Sequence, residues 1–252
     1  MYLRYITCSD PREHNPVSEI IKLGVIPSAE VAVQCHPSKM DQGMARNVWF
    51  DQLMHQLYDV KGMNLAIHIN MEWASEICLN GKIPEILAPW VYARNSSGNP
   101  IIKRIQINMP EFAVQNINPK RVARLIAGLP RREFIFQYND KTKSAVEKLH
   151  ATGARFSLLF DASGGRGVAP KAWQKPIYET HPMGYSGGLS PDNVIHNLRL
   201  INAIVPKNTP IWIDAEGRLK SNDLFNEKPR FDTELARQYV TRARAYNLGN
   251  IR

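Results

Sequence analysis

Cysteine is scarce in this chain of 252 residues, which has three: Cys8, Cys35 and Cys78. Three thiols cannot all pair and none stands in a CxxC spacing. A disulfide scaffold is therefore excluded, and free thiols in a reducing, cytoplasmic compartment are expected. Long apolar runs are also missing. No stretch approaches the roughly 18 residues needed to cross a bilayer, and Met1 to Pro11 lacks the apolar region of a secretory signal, so no membrane partner is expected. Glycine is absent from TCSDPREH (Thr7–His14), the segment that follows the first strand-like run. That removes the GxGxxG turn of a dinucleotide-binding sheet. No RNA- or DNA-binding motif accompanies the net charge of +9, and a nucleic-acid partner is not expected.

What is present is the composition of an ordinary globular protein, 44% hydrophobic and 22% charged. The charge is uneven. Residues 1–126 hold 13 Lys and Arg against 11 Asp and Glu, and residues 127–252 hold 19 against 12, so an anionic partner is expected to meet the second half. Short β-branched or aliphatic runs alternate eight times with longer segments of helical period. The strands are expected at 2–8, 31–35, 64–69, 103–109, 133–138, 156–160, 183–186 and 210–214. Helices are expected at 11–23, 41–58, 72–79, 119–127, 141–151, 191–205 and 232–246, with a glycine-rich loop in place of a helix after the sixth strand. Eight such units in about 250 residues favour closure into one (β/α)8 barrel, a TIM barrel, spanning 1–252. Residues 80–100, rich in Pro, Asn and Gly, read as an inserted loop before the fourth strand.

In such a barrel the chemistry lies where the strands stop. The expected strand ends are polar: Cys8, Gln34 to His36, His68 and Asn70, Gln106 and Asn108, Gln137, Asp161, Ser186, Asp214 and Glu216. Three segments carry the most information. LLFDASGGRG (Leu158–Gly167) is an apolar strand ending in a carboxylate before a glycine loop. GYSGGLSPDN (Gly184–Asn193) is a strand, a double glycine and a helix start. IWIDAEGR (Ile211–Arg218) ends the last strand at Asp214. The last two place free backbone amides after strands seven and eight, where an anion is readily held. Cys8, Cys35, His36 and His68 sit at neighbouring strand ends, but no ligand spacing supports a metal there.

The pieces LLFDASGGRGVAPKAW, SGGLSPDNV, WIDAEGR and Phe231-Asp232 together resemble the phosphoribosylanthranilate isomerase family of TIM barrels. Weaker similarity extends to VQCHPSK, HINMEWASEIC and IQIN. The resemblance implies an Amadori rearrangement of a phosphorylated ribosylamine, with Asp161 as general acid and Cys8 as general base. The phosphate would lie among Gly165, Gly167, Gly187, Gly188, Asp214 and Gly217, and no cofactor would be needed. The chain differs from the family in having Lys39 and Met40 where an arginine follows the second strand, and Asn108 where many members have a histidine. Those differences put beside it, on an equal footing, the alternative of a diverged barrel enzyme acting on another phosphorylated or anionic small molecule.

Overall fold

The computed structural model describes residues 1–222 and 228–250. In chain order the elements are β1 (Tyr2–Ser9), α1 (Val17–Gly24), β2 (Ala29–Cys35), α2 (Pro37–Met40), α3 (Ala45–Gln56), β3 (Leu65–Ile69), α4 (Met71–Asn80), α5 (Ala88–Tyr92) and β4 (Ile102–Ile107). They continue with α6 (Glu111–Asn116), α7 (Pro119–Gly128), β5 (Glu133–Tyr138), α8 (Lys143–His150), β6 (Ser157–Phe160), β7 (Met183–Ser186), α9 (Val194–Ile204) and β8 (Pro210–Ala215). A short ribbon, β9 (Lys220–Ser221) and β10 (Arg230–Phe231), precedes the last helix, α10 (Thr233–Asn250). Strands β1 to β8 hydrogen-bond in sequence order, and β8 pairs back onto β1, all in parallel. The expected TIM barrel is the observed one.

Strand periodicity decides which residues face which compartment. Successive side chains on a strand point to opposite faces. The residues Ile6, Val31, Val33, Ile67, Ile105, Ile107, Phe134, Leu158, Ile211 and Ile213 are buried in one apolar cluster that also includes helix residues such as Ile20, Leu53, Ile77 and Leu198. Each such side chain contributes about 1.5–3 kcal/mol relative to exposure. The alternate positions point into the barrel and are polar or aromatic: Tyr5, Thr7 and Ser9 on β1, Glu30 and Gln34 on β2, His68 on β3, Arg104 and Gln106 on β4, Trp212 and Asp214 on β8. The interior apolar contribution is a small cluster of Ile135, Leu159 and Trp212 with Tyr5 against it. Gly184 on β7 makes room for that cluster, since a Cβ there would stand 2.0 Å from the Trp212 ring.

Several helix boundaries differ from expectation for local reasons. The first helix starts at Val17 rather than Pro11, because Pro16 disfavours helical geometry at Asn15. Asn15 instead donates to the Phe231 carbonyl. The segment expected to be one helix from 41 begins at Ala45, after a turn through Gly43, whose φ is 82°. The α7 boundary follows its capping signal, with Asn118 accepting from the Arg121 amide and Pro119 at the first helical position. The insertion before β4 is not all loop: it contains a 3-10 turn at Glu85–Leu87 and α5, and Trp90 packs edge-on to Phe50. No helix among the described residues is long and apolar enough to cross a membrane.

Candidate active site at the barrel mouth

The strand ends enclose a cavity of about 670 Å³ at the C-terminal mouth, within the usual range for small-molecule sites. Its floor is a chain of carboxamides. Gln106 donates to Asn108 at 2.9 Å, Asn108 to Asn70 at 2.8 Å, Asn70 to Gln34 at 2.9 Å, and Gln34 to Glu216 at 2.9 Å. Each amide thus polarises the next. His68 lies beneath them, its Nδ1 3.3 Å from the Gln34 amide nitrogen and 3.5 Å from that of Gln106. Burial, with the charge of Arg104, pushes its pKa down to about 3, so the imidazole is neutral at physiological pH.

The wall after β1 is ionic. Asp10, buried and with φ 75°, binds the Arg12 guanidinium and accepts from Lys220 at 2.8 Å, with Arg46 at 3.7 Å. Burial alone would raise its pKa, but the hydrogen bond from Arg12 and the charge of Lys220 hold it below the ordinary carboxylate range. Arg12, Lys39, Arg46, Arg166 and Arg218 all line the mouth. Sequence reasoning did not bring Arg12 and Arg46 to this site. Arg12 adjoins a strand end and was within reach of it, whereas Arg46 comes from α3 and is placed by the tertiary fold.

Asp214 ends the inward face of β8. It is 8% exposed and lines the cavity; Oδ1 accepts from Ser9 Oγ at 2.6 Å. No cation pairs with it among the described residues. Burial pushes its pKa up to about 7; the Ser9 hydrogen bond opposes the shift and the charges of Glu216, Glu30 and Asp161 add to it. A carboxyl of this kind repels an anion as soon as it ionises. Such a carboxyl is better suited to proton transfer than to holding a phosphate. Glu216 accepts from Gln34 and pairs with Lys220 at 3.1 Å, which compensates its charge.

The remaining expected site residues separate into three groups. Cys8 shares the outward face of β1 with Ile6. It is fully buried, with Sγ 3.9 Å from the Ala236 carbonyl of α10, and does not line the mouth. Burial and the charges of Asp214 and Glu30 push its thiol pKa well above the ordinary value, so the general-base assignment is corrected. Asp161 does line the mouth, but its oxygens accept from the Ser163 amide and hydroxyl, the Gly165 amide and Gln137. That geometry makes it the anchor of the glycine loop after β6. The same bond takes up the Gly165 amide, which corrects its assignment to a phosphate. Gly167, Gly187, Gly188 and Gly217 remain at the cavity edge. Gly187 and Gly188 have φ of 133° and 61°, and Cβ atoms there would stand 2.9 Å from the Val168 carbonyl and 3.0 Å from that of Gly167. The double glycine therefore lets the β6 loop lie directly on the end of β7. No loop or turn acceptor takes up the Gly188 and Gly217 amides among the described residues. Likewise no group of His, Cys, Asp and Glu fit to hold a metal is found among them.

No protein-family model and no curated protein sequence matches the chain. Solved structures with a similar fold include 3-hexulose-6-phosphate synthase from Salmonella typhimurium, at 10% identity and TM-score 0.48 over 98% of this chain and 100% of that one. The YdjI aldolase from Escherichia coli K12 is similar at 12% identity and TM-score 0.45, over 99% and 90%. Membership of the phosphoribosylanthranilate isomerase family, expected from the glycine-rich strand ends, is corrected. No family model matches, and the cysteine that the resemblance made a base faces the helices.

Proposed function

We propose that the mouth is the active site of an enzyme that moves a proton on a phosphorylated, hydroxyl-rich small molecule, with Asp214 as the general acid–base. The observation that carries this reading is the isolation of Asp214: a buried carboxyl facing the cavity, oriented by Ser9, without a cation among the described residues, its pKa brought to about 7. A group poised near neutral pH both takes and returns a proton efficiently. The amide floor and neutral His68 supply donors and acceptors without net charge, as hydroxyl groups require. The anionic group belongs at the Gly188 and Gly217 amides with Arg218, which has no ion-pair partner among the described residues. There the amides and the guanidinium provide charge-assisted hydrogen bonds.

Solvent-deuterium incorporation into a panel of pentose and hexose phosphates, read by mass spectrometry, tests the proposal whatever the product is. Wild-type protein is expected to incorporate deuterium at a carbon-bound position of at least one compound, and Asp214→Asn to abolish it. Incorporation that survives Asp214→Asn would remove Asp214 from the chemistry.

A further inference from the structure

A second cavity, of about 1200 Å³, opens at the opposite end of the barrel, where the starts of β4, β5 and β6 meet the C-terminal ends of α7 and α8. We propose that it is a binding site for an anionic ligand with a planar or apolar body, the chemical class of the nucleoside polyphosphates. It is separate from the mouth and independent of the reaction proposed there. Charge is the first argument. Arg4 and Arg104 are matched by Glu133, at 3.4 and 3.2 Å. Lys103, Arg131, Arg132 and Arg155 also line the cavity, and no carboxylate pairs with any of them among the described residues. Lys103 reaches only the Met63 carbonyl and the Asn64 side chain, each at 3.0 Å.

Arg132 is the second argument. It is 8% exposed, donates to the Val91 carbonyl, and leaves its buried Nε without an acceptor. An unpaired buried guanidinium nitrogen is costly, and its charge adds to the unbalanced wall. Helix ends do not remove the imbalance. The C-termini of α7 and α8 each present about half a negative charge, which falls well short of four cations. Much of the rest of the wall is apolar or aromatic, with Tyr5, Ile126, Phe156 and Pro182, and His181 edge-on to Phe156 at a ring separation of 4.1 Å. A bare phosphate would use the cations and leave this surface wet, whereas a base covers it.

Isothermal titration of the whole protein with ADP at low ionic strength, with inorganic phosphate as the charge-only probe, tests the proposal. Arg131 and Arg155 are both exposed, so Arg131→Glu/Arg155→Glu is chosen to weaken the site while preserving the fold, which circular dichroism checks. Saturable ADP binding, tighter than that of phosphate, is expected; the double variant should weaken it by about tenfold or more, while Arg218→Ala at the mouth leaves it unchanged. If the double variant does not fold, Arg155→Ala alone should weaken binding about threefold. Absence of saturable binding at millimolar ADP would overturn the proposal. So would phosphate binding as tightly as ADP, or loss of binding in Arg218→Ala with the double variant unaffected, which would put the nucleotide in the mouth.

Discussion

Two buried carboxylates flank Thr7 inside the barrel, and their surroundings give them opposite roles. Thr7 is in register with Glu30 on β2 and with Asp214 on β8. Glu30 accepts from Thr7 at 2.8 Å and from Arg104 at 2.7 Å, and Arg104 is also held by Glu133 and lies over the rings of Tyr5 and Trp212. Among the described residues Asp214 has only Ser9. Burial pushes both carboxyls up, but the charge of Arg104 pulls Glu30 back, while Asp214 reaches about 7. One buried carboxylate is thus fixed as part of a closed polar plug. The other is left poised to exchange a proton on the side that opens to the mouth. The difference is a matter of neighbours, because the two strands place similar side chains at the same level.

Several substitutions would break or sharpen that contrast. The largest effect is expected from Asp214→Asn, which should lower deuterium incorporation by about 10²–10⁴-fold, the usual contribution of a general acid–base. In the wild type the incorporation rate should rise as the pH passes about 7 and ionises the carboxyl. Arg104→Met removes the cation from the plug and leaves Glu30 and Glu133 buried without it. Urea melts should show a loss of about 3–5 kcal/mol, partly restored by adding Glu30→Gln. A wild-type melt equal to that of Arg104→Met would show that Glu30 needs no partner and would erase the contrast.

The raised pKa of Asp214 also makes stability depend on pH. The folded pKa of Asp214 lies above the unfolded value near 3.9, so the folded protein holds a proton that the unfolded chain has released. The stability from this group is full below about pH 4 and is lost as pH rises towards 7, by up to about 4 kcal/mol. The difference in thermal midpoint between Asp214→Asn and wild type should therefore widen in favour of the variant across that window and stay level above it. Gly184→Ala drives a methyl group into Trp212, whose ring stacks on Arg104. Denaturant titration should register about 1–3 kcal/mol of overpacking cost. Cys8→Ala gives the smallest change, about 1 kcal/mol of stability for a buried group on the outward face. Incorporation of deuterium should be unaffected, since the side chain meets α10 and not the mouth.

Much of the architecture is legible in the sequence. The strands at 133–138 and 183–186 fall where their sequence places them, and the other six differ at their ends by one or two residues. The mouth is legible as a row of polar strand ends, among them Gln34, His68, Asn70, Gln106, Asn108 and Asp214, all of which line it. Cys8 shows what a motif can hide. The same period that puts Thr7 and Ser9 inside the barrel puts Ile6 and Cys8 outside, so strand parity held the answer, while the resemblance of neighbouring glycine motifs pointed the other way. The ribbon of β9 and β10 left no comparable signal, because each of its strands is two residues long and gains its partner from across an intervening segment.

By itself the sequence determined the eight alternating units, and with them the barrel, through local periodicity: apolar side chains at every second strand position must be covered by helices. It also determined that the strands end in hydrogen-bonding groups rather than in apolar ones. Only the tertiary structure decided which buried charges meet. Glu30 and Arg104 are 74 residues apart, Asp10 and Lys220 are 210 apart, and both pairs lie within 2.8 Å once the sheet closes. Charge interactions fall off with separation and strengthen away from water. The fate of each carboxylate is therefore set by closure of the barrel, which brings a cation to Glu30 and, among the described residues, none to Asp214.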